Sequence, residues 1–299
     1  MDNPMYKALL EWSLKQNDGT RPAALDPAQL DPEKKAFLER VMSEMVEDES
    51  STMIELVAKL HSKEDTEEEA EAKVDALEEL SDRVDRIDYA ITLHAYAKGF
   101  LPVIHLIRDS KHEGVRSKAA ELASVCMRNN PDLQLAALED GGLATIFQAH
   151  GNPENGHNCR AKIVGALSAL VQNNKTAEAA FLASGGVEAL RGDIVSISSK
   201  LKLKALFMLQ WLLRDCEAAR KAAVAGLAND LETVLSEEDD DATEYAAMCL
   251  QALVQGDKGA FDAETLRAKV EQRLNTGTVG SGEAETARDA LKQLLGLLK

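Results

Sequence analysis

Two stretches of this sequence can be laid over one another without a gap. Lys118 and Lys162 stand 44 residues apart, and the same offset relates Asn129-Asn130 to Asn173-Asn174 and Gly141-Gly142 to Gly185-Gly186. A self-similarity of this period is the mark of helical repeat arrays, whose units are too small to bury their own apolar faces and must stack. Further segments fall on the same frame. ALFMLQWLL (205–213) lies under IVGALSALV (163–171), and AAMCLQALV (246–254) lies under both with Gln210 and Gln251 aligned; a weaker first copy, KVDALEELSDRVD, starts at Lys73. The frame predicts about four or five units of roughly 41 to 45 residues between about 72 and 274.

Within a unit the order is a short helix such as PDLQLAALED from Pro131, a Gly-Gly pair, a second short helix, a loop and a longer apolar helix. That is the three-helix armadillo plan, in which Gly141 and Gly185 permit a reversal that a side chain obstructs. Composition agrees. Aromatics are 4% of a chain that is 45% hydrophobic, a bias toward helix formers and away from the residues strands prefer. The expected fold is all-α, an armadillo-like right-handed α-solenoid with helical caps at both ends, presenting a long concave surface lined by third helices.

The ends read differently. Residues 1–32 hold a short amphipathic piece around LLEWSL followed by a stretch with Pro22, Pro27 and Pro32, which block a continuous helix. Leu9, Leu10, Trp12 and Leu14 make this piece either a docked terminal helix or a tethered interaction segment. Residues 33–71, with Phe37, Val41 and Met45 and then Ile54, Val57 and Leu60 at helical spacing, read as capping helices. The acidic run EEEAE at 67–71 reads as a solvated loop or face separating them from the array. Residues 275–299 begin with the flexible joint TGTVGSG and end in an amphipathic capping helix over Glu283–Leu298.

Several function classes are disfavoured. The formal net charge of −17 argues against nucleic acid and anionic membrane surfaces, which are bound by Lys and Arg. No apolar run has transmembrane length and no signal-peptide pattern is present, so a cytoplasmic or nuclear protein is expected. Cys126, Cys159, Cys216 and Cys249 are too scattered for a metal finger and read as buried thiols. His150, His157 and Cys159 flank the loop GNPENGHN, where His and Asn serve as turn and cap residues. With no nucleophile elbow and no phosphate loop, neither catalysis nor a cofactor is expected; the array should be a soluble monomer that binds another protein.

Helix-three spacing puts Leu203, Phe207, Gln210 and Arg214 on one stripe. One repeat earlier the stripe is Ala161, Gly165, Ser168 and Gln172, and before it Ser117, Glu121, Ser124 and Arg128. Lys118, Lys162 and Lys204 recur at one repeat position, where they serve either as rim lysines in water or as contacts for acidic patches on a partner. Phe207 fits either core packing or contact.

The residues carry a family resemblance. KLKLKALFMLQWLL (200–213), LLEWSL (9–14) and the Asn-Asn followed by an apolar helix ending in Gly-Gly-Leu (129–143) resemble the armadillo nucleotide-exchange factors of heat-shock protein 70, the heat-shock-protein-binding protein 1 family. The resemblance spans almost the whole chain, departing at LEELSDRVDRIDYA (77–90), where Asp85 and Asp88 are kept but Arg86 and Ile87 intervene. It implies a partner, the nucleotide-binding domain of a cytosolic heat-shock protein 70, held by the concave face so that ADP leaves. It also implies contacts at Lys200 and Lys204 and a role for the N-terminal segment in client release. The alternative is a general armadillo adaptor. An extended-peptide binder would carry an Asn and Trp ladder, yet the ladder positions are Val125, Ala169, Trp211 and Ala252. Family members of the secretory pathway are disfavoured by the absence of a signal peptide.

Overall fold

The computed structural model describes residues 51–84, 87–223, 226–256, 262–276 and 282–298. The chain divides into two units, residues 1–55 and 56–299, and the architecture below is that of the second. Leu9, Leu10, Trp12 and Leu14, Asp85 and the expected capping helix with Phe37, Val41 and Met45 lie outside the described residues.

Among the described residues there are helices and no strand. Four three-helix units follow one another. They are α2 (Ile87–Ala95), α3 (Phe100–Asp109) and α4 (Glu113–Met127); α5 (Pro131–Glu139), α6 (Gly142–His150) and α7 (His157–Val171); α8 (Lys175–Ala183), α9 (Gly186–Ile194) and α10 (Ser199–Asp215); and α11 (Glu217–Ala222), α12 (Leu227–Leu235) and α13 (Asp240–Gly256). Before them stands α1 (Glu67–Arg83), and after them α14 (Ala263–Thr276) and α15 (Gly282–Leu297). The third helices α1, α4, α7, α10 and α13 pack side by side in chain order, and α15 closes the row against α13. The array is the expected all-α armadillo-like solenoid.

Backbone chemistry explains the repeat anchors. Asn129 and Asn173 end their third helices in the left-handed region, with φ of 55° and 60°. Asn130 and Asn174 then cap the next helix, their side chains accepting from the amides of Leu133 and Ala177. Gly141 and Gly185, both at φ 75°, reverse the chain between first and second helices, a conformation with little cost only for glycine. Gly142 is needed for a different reason: a Cβ there would sit 2.7 Å from the Ala137 carbonyl oxygen.

Of the two readings of the acidic run at 67–71, a solvated loop or a solvated face, the structure shows the face: Glu67, Glu68 and Glu71 are exposed on a helix. The run forms the first turns of α1, where Thr66 and Glu69 close a reciprocal capping box and Glu67, Glu68 and Glu69 occupy the first turn. Carboxylates are favoured there by the positive end of the helix dipole.

The core is a continuous layer of aliphatic side chains. On α7, Ile163, Val164, Ala166, Leu167, Leu170 and Val171 are all buried, and on α10 Leu206, Leu209, Leu212 and Leu213. A third helix apolar around most of its circumference is the expected state of an element with neighbours on several sides.

Candidate interaction face on the third helices

The repeat places a cation two residues ahead of each of the three aligned lysines, and this inner position escaped the sequence reading. Lys73, Arg116, Arg160 and Lys202 occupy it at spacings of 43, 44 and 42 residues. Each reaches from a third helix to a polar group at the loop edge. Lys73 pairs with Glu64 at 3.2 Å. Arg116 donates to Asn155 Oδ1 at 2.8 Å and to the carbonyls of Ser110 and Lys111. Arg160 meets Asp193 at 2.6 Å, and Lys202 pairs with Glu237. The signal was present as a basic residue at one repeat phase; charge alone made it look solvent-facing.

The outer lysines behave differently from one another. Lys118 bonds Glu78 on α1 at 3.3 Å and lies 3.4 Å from Glu121 on its own helix. Lys162 on α7 reaches back to Glu121 at 2.8 Å. A charge chain Glu78–Lys118–Glu121–Lys162 thus runs across three third helices. Burial pulls the Lys118 pKa down, but Glu78 and Glu121 more than offset it and raise it. The hydrogen bond from Lys162 holds the Glu121 carboxyl below its ordinary value against partial burial. The sequence reading offered Lys118, Glu121 and Lys162 as partner contacts; the structure gives each a partner inside the chain.

At Lys204 the chain of charges stops. The acid that each earlier lysine uses sits at Glu78 and Glu121, and the next position in the frame is Gly165. Lys204 is exposed and makes no ion pair among the described residues. Gly165 is in the interior of α7, where glycine costs about 1 kcal/mol relative to alanine. Packing does not demand it, because an added Cβ would meet only Ser124 Oγ, at 3.8 Å. One turn beyond Lys204, Phe207 is 41% exposed and stands edge-on to Tyr245 of α13 with centroids 5.8 Å apart. Phe207 is therefore part of the surface. Tyr245 stands at the lysine phase of the last repeat, where an uncharged residue leaves no mark in a series defined by charge.

The remaining expected contacts divide. Arg128 is exposed, and Arg214 is exposed while paired with Asp215 at 2.7 Å. Lys200 donates to Asn158 Oδ1 across the repeat boundary at 2.8 Å. Asp88 is exposed at the start of α2. Gln172 is half-buried, its carbonyl accepting from Gln134 at 3.0 Å. Gln210 is buried, as are Ser117, Ala161 and Ser168 of the stripes that were expected to be open. Small residues there let neighbouring third helices approach closely enough for Ser124 Oγ to donate to the Gly165 carbonyl at 3.2 Å. The loop histidine His150 is likewise engaged, donating from Nε2 to Asp193 at 2.6 Å.

Comparison with known proteins agrees with this architecture. The model of the SIL1/FES1/HPBP1 C-terminal domain matches residues 95–257, more than half of the chain. The chain belongs to the SIL1/FES1/HPBP1 family. A second family model, the nucleotide exchange factor Fes1, matches residues 6–93, so the two together take in the N-terminal region and the array. Among relatives of this SIL1/FES1/HPBP1 member, the Hsp70 nucleotide exchange factor FES1 of Eremothecium gossypii is 25% identical over 96% of this chain and 99% of its own length. The FES1 protein of Saccharomyces cerevisiae is 24% identical over 66% of each chain, and nucleotide exchange factor SIL1 of Rattus norvegicus is 29% identical over 64% of this chain and 39% of its own. Solved structures of the same shape include a designed armadillo repeat protein (TM-score 0.66, 14% identity, 83% of this chain and 100% of that one). The armadillo-repeats-only protein of Plasmodium falciparum is another (TM-score 0.56, 15% identity, 70% and 95%). These structures establish the fold alone.

Proposed function

We propose that this protein is a co-chaperone that binds the nucleotide-binding domain of a cytosolic Hsp70 as a monomer, through the face of its third helices, and promotes release of ADP without catalytic chemistry of its own. The observation that carries this reading is the joint match to the SIL1/FES1/HPBP1 and Fes1 family models, which together run from residue 6 to 257. The exposed Lys204 and Phe207 of α10, with the half-buried Tyr245 of α13 edge-on to Phe207, support it as a place for a partner to land.

Such a binder works by differential affinity. If it holds the chaperone's open arrangement more tightly than the closed, nucleotide-clamped one, the open population rises by the ratio of the two affinities, and a hundredfold shift needs about 2.7 kcal/mol. One interface of ordinary extent, about 1,600 Å² in total, is able to supply that. Residues 1–32, with Leu9, Leu10, Trp12 and Leu14, are assigned a separate part in client release.

The test is stopped-flow release of a fluorescent ADP from a cytosolic Hsp70. Acceleration that grows with the concentration of this protein is expected, and a chain lacking residues 1–32 should accelerate it equally. Binding without acceleration would leave an adaptor instead of an exchange factor.

A further inference from the structure

The junction between the second and third units, α5–α7 and α8–α10, differs from its neighbours in two layers at once. In the row of third helices, Lys118 ties α4 to α1 and Lys162 ties α7 to α4. Between α7 and α10 the position that carries those glutamates is Gly165, and this pair packs less extensively than any other neighbours in the row. In the row of second helices, α3 lies along α6 and α9 along α12, whereas α6 and α9 do not pack along their length. The bond between them is polar. Asp193 Oδ2 accepts from His150 Nε2 of α6, and Oδ1 accepts from Arg160 Nη2 of α7, at 2.6 Å each. The positions of His150 and Asp193 are held at the flanking junctions by Leu106 and Ala149 and by Ile194 and Val234. An apolar pair on either side has thus become, here, a fully buried acid and a buried histidine.

Aliphatic layers resist rotation by the area they share, and this junction shares the least. Bonds radiating from one carboxylate hold two bodies together at a point and leave the angle about that point free to change. Arg160 Nε is buried without a hydrogen-bond partner among the described residues, so the cluster is not a fully satisfied network that fixes one geometry. We propose that the array bends at this junction with the buried Asp193 carboxylate as its pivot: α1–α7 and α8–α15 turn as two arms, and the opening of the face lined by the third helices follows the angle between them. The inference goes beyond the exchange-factor reading and stands without it, since it concerns the free chain.

The experiment measures distance distributions in the full-length chain by electron–electron double resonance between pairs of spin labels. The four native cysteines are buried, so cysteines introduced at exposed positions are labelled selectively. The pairs are Glu68→Cys with Asp132→Cys, Asp132→Cys with Ala218→Cys, and Thr176→Cys with Glu285→Cys, all exposed positions. Each pair crosses two junctions, and only the middle pair crosses the one at Asp193. Its distribution should be at least about twice as wide as the other two. The triple variant His150→Leu/Arg160→Met/Asp193→Val gives the junction the apolar chemistry of its neighbours and should stay folded, as apolar replacements of buried ionic triads do. It should narrow the middle distribution to the width of the others. Gly165→Glu, which offers Lys204 the bond that Glu121 offers Lys162, should narrow it through the other layer; it carries the test if melting curves show the triple variant unfolded. Three equal widths in the wild-type chain overturn the proposal. So does a folded triple variant, or in its place Gly165→Glu, whose middle distribution is as wide as that of the wild type.

Discussion

Among the described residues, six carry the left-handed backbone of this array: Lys98, Asn129, Gly141, Asn173, Gly185 and Gly226. Four of them are the anchors through which the sequence betrays its duplication, because a turn that demands positive φ restricts the residue that occupies it. Lys98, at φ 54°, does the same task one repeat before Gly141 with a side chain that bears the strain. That is why the Gly-Gly anchor has no visible counterpart in the first complete unit: the position is the same, but its signature residue is missing. The difference is measurable. A Cβ at Gly185 would meet nothing within 4 Å, so Gly185→Ala should destabilise by about 1–2 kcal/mol through backbone strain alone, and Lys98→Gly should stabilise by up to about 1 kcal/mol. Urea midpoints of the two variants moving in the same direction would contradict this account.

Elements are joined by polar contacts that the repeat pattern concealed. Asp193 is fully buried on α9, holding His150 of α6 and Arg160 of α7 at 2.6 Å each. Neighbouring repeats have Ala149 and Val234 at the same phase, so an apolar position has been given to a carboxylate, and a reading based on periodicity treats the aspartate as solvent-facing. Removing one member of a buried charge cluster leaves the others desolvated and unpaired, which costs about 3–5 kcal/mol. Asp193→Asn, which preserves shape, is expected to lose an amount of that order in chemical denaturation; a change below about 1 kcal/mol would mean that water or a rearranged side chain compensates. The candidate face shows the same limit. Lys118, Lys162 and Lys204 were visible as a series, yet sequence alone treats them as equals. What separates them is a carboxylate on the adjoining helix, Glu78 or Glu121, and its replacement by Gly165, and that only acquires meaning when third helices lie side by side.

For the molecule as a whole, stability in a stacked array comes from nearest-neighbour interfaces. The thiols report on them. Cys126 and Cys249 are 1% and 0% exposed, and burial pushes the Cys126 thiol up to about 12, the Cys159 thiol up to about 11, and the Cys249 thiol higher than its ordinary value as well. Since the thiolate is the reactive form, Cys126 and Cys249 should resist alkylation in the native protein and react once urea separates the repeats. Native modification of either at the rate of a free thiol would show that the interfaces open readily. The all-helical, armadillo-like architecture was readable because a helix of an array has to be apolar along a predictable stripe. The polar cross-links were not, because they depend on which helix becomes whose neighbour.

The inner cations also have a mechanical consequence. Arg116 reaches Asn155, Arg160 reaches Asp193 and Lys202 reaches Glu237, each crossing to the following repeat. Directional bonds therefore gather along the edge where second helices hand over to third ones, with the Lys118–Glu78 and Lys162–Glu121 pairs close beside them, while most of what remains in each interface is aliphatic contact that tolerates sliding. Such an object flexes as a bound book does: the spine keeps its length and the pages fan. Any change in the opening between distant repeats has to be made by rotation about that spine, so the array adjusts its grip by twisting and not by stretching.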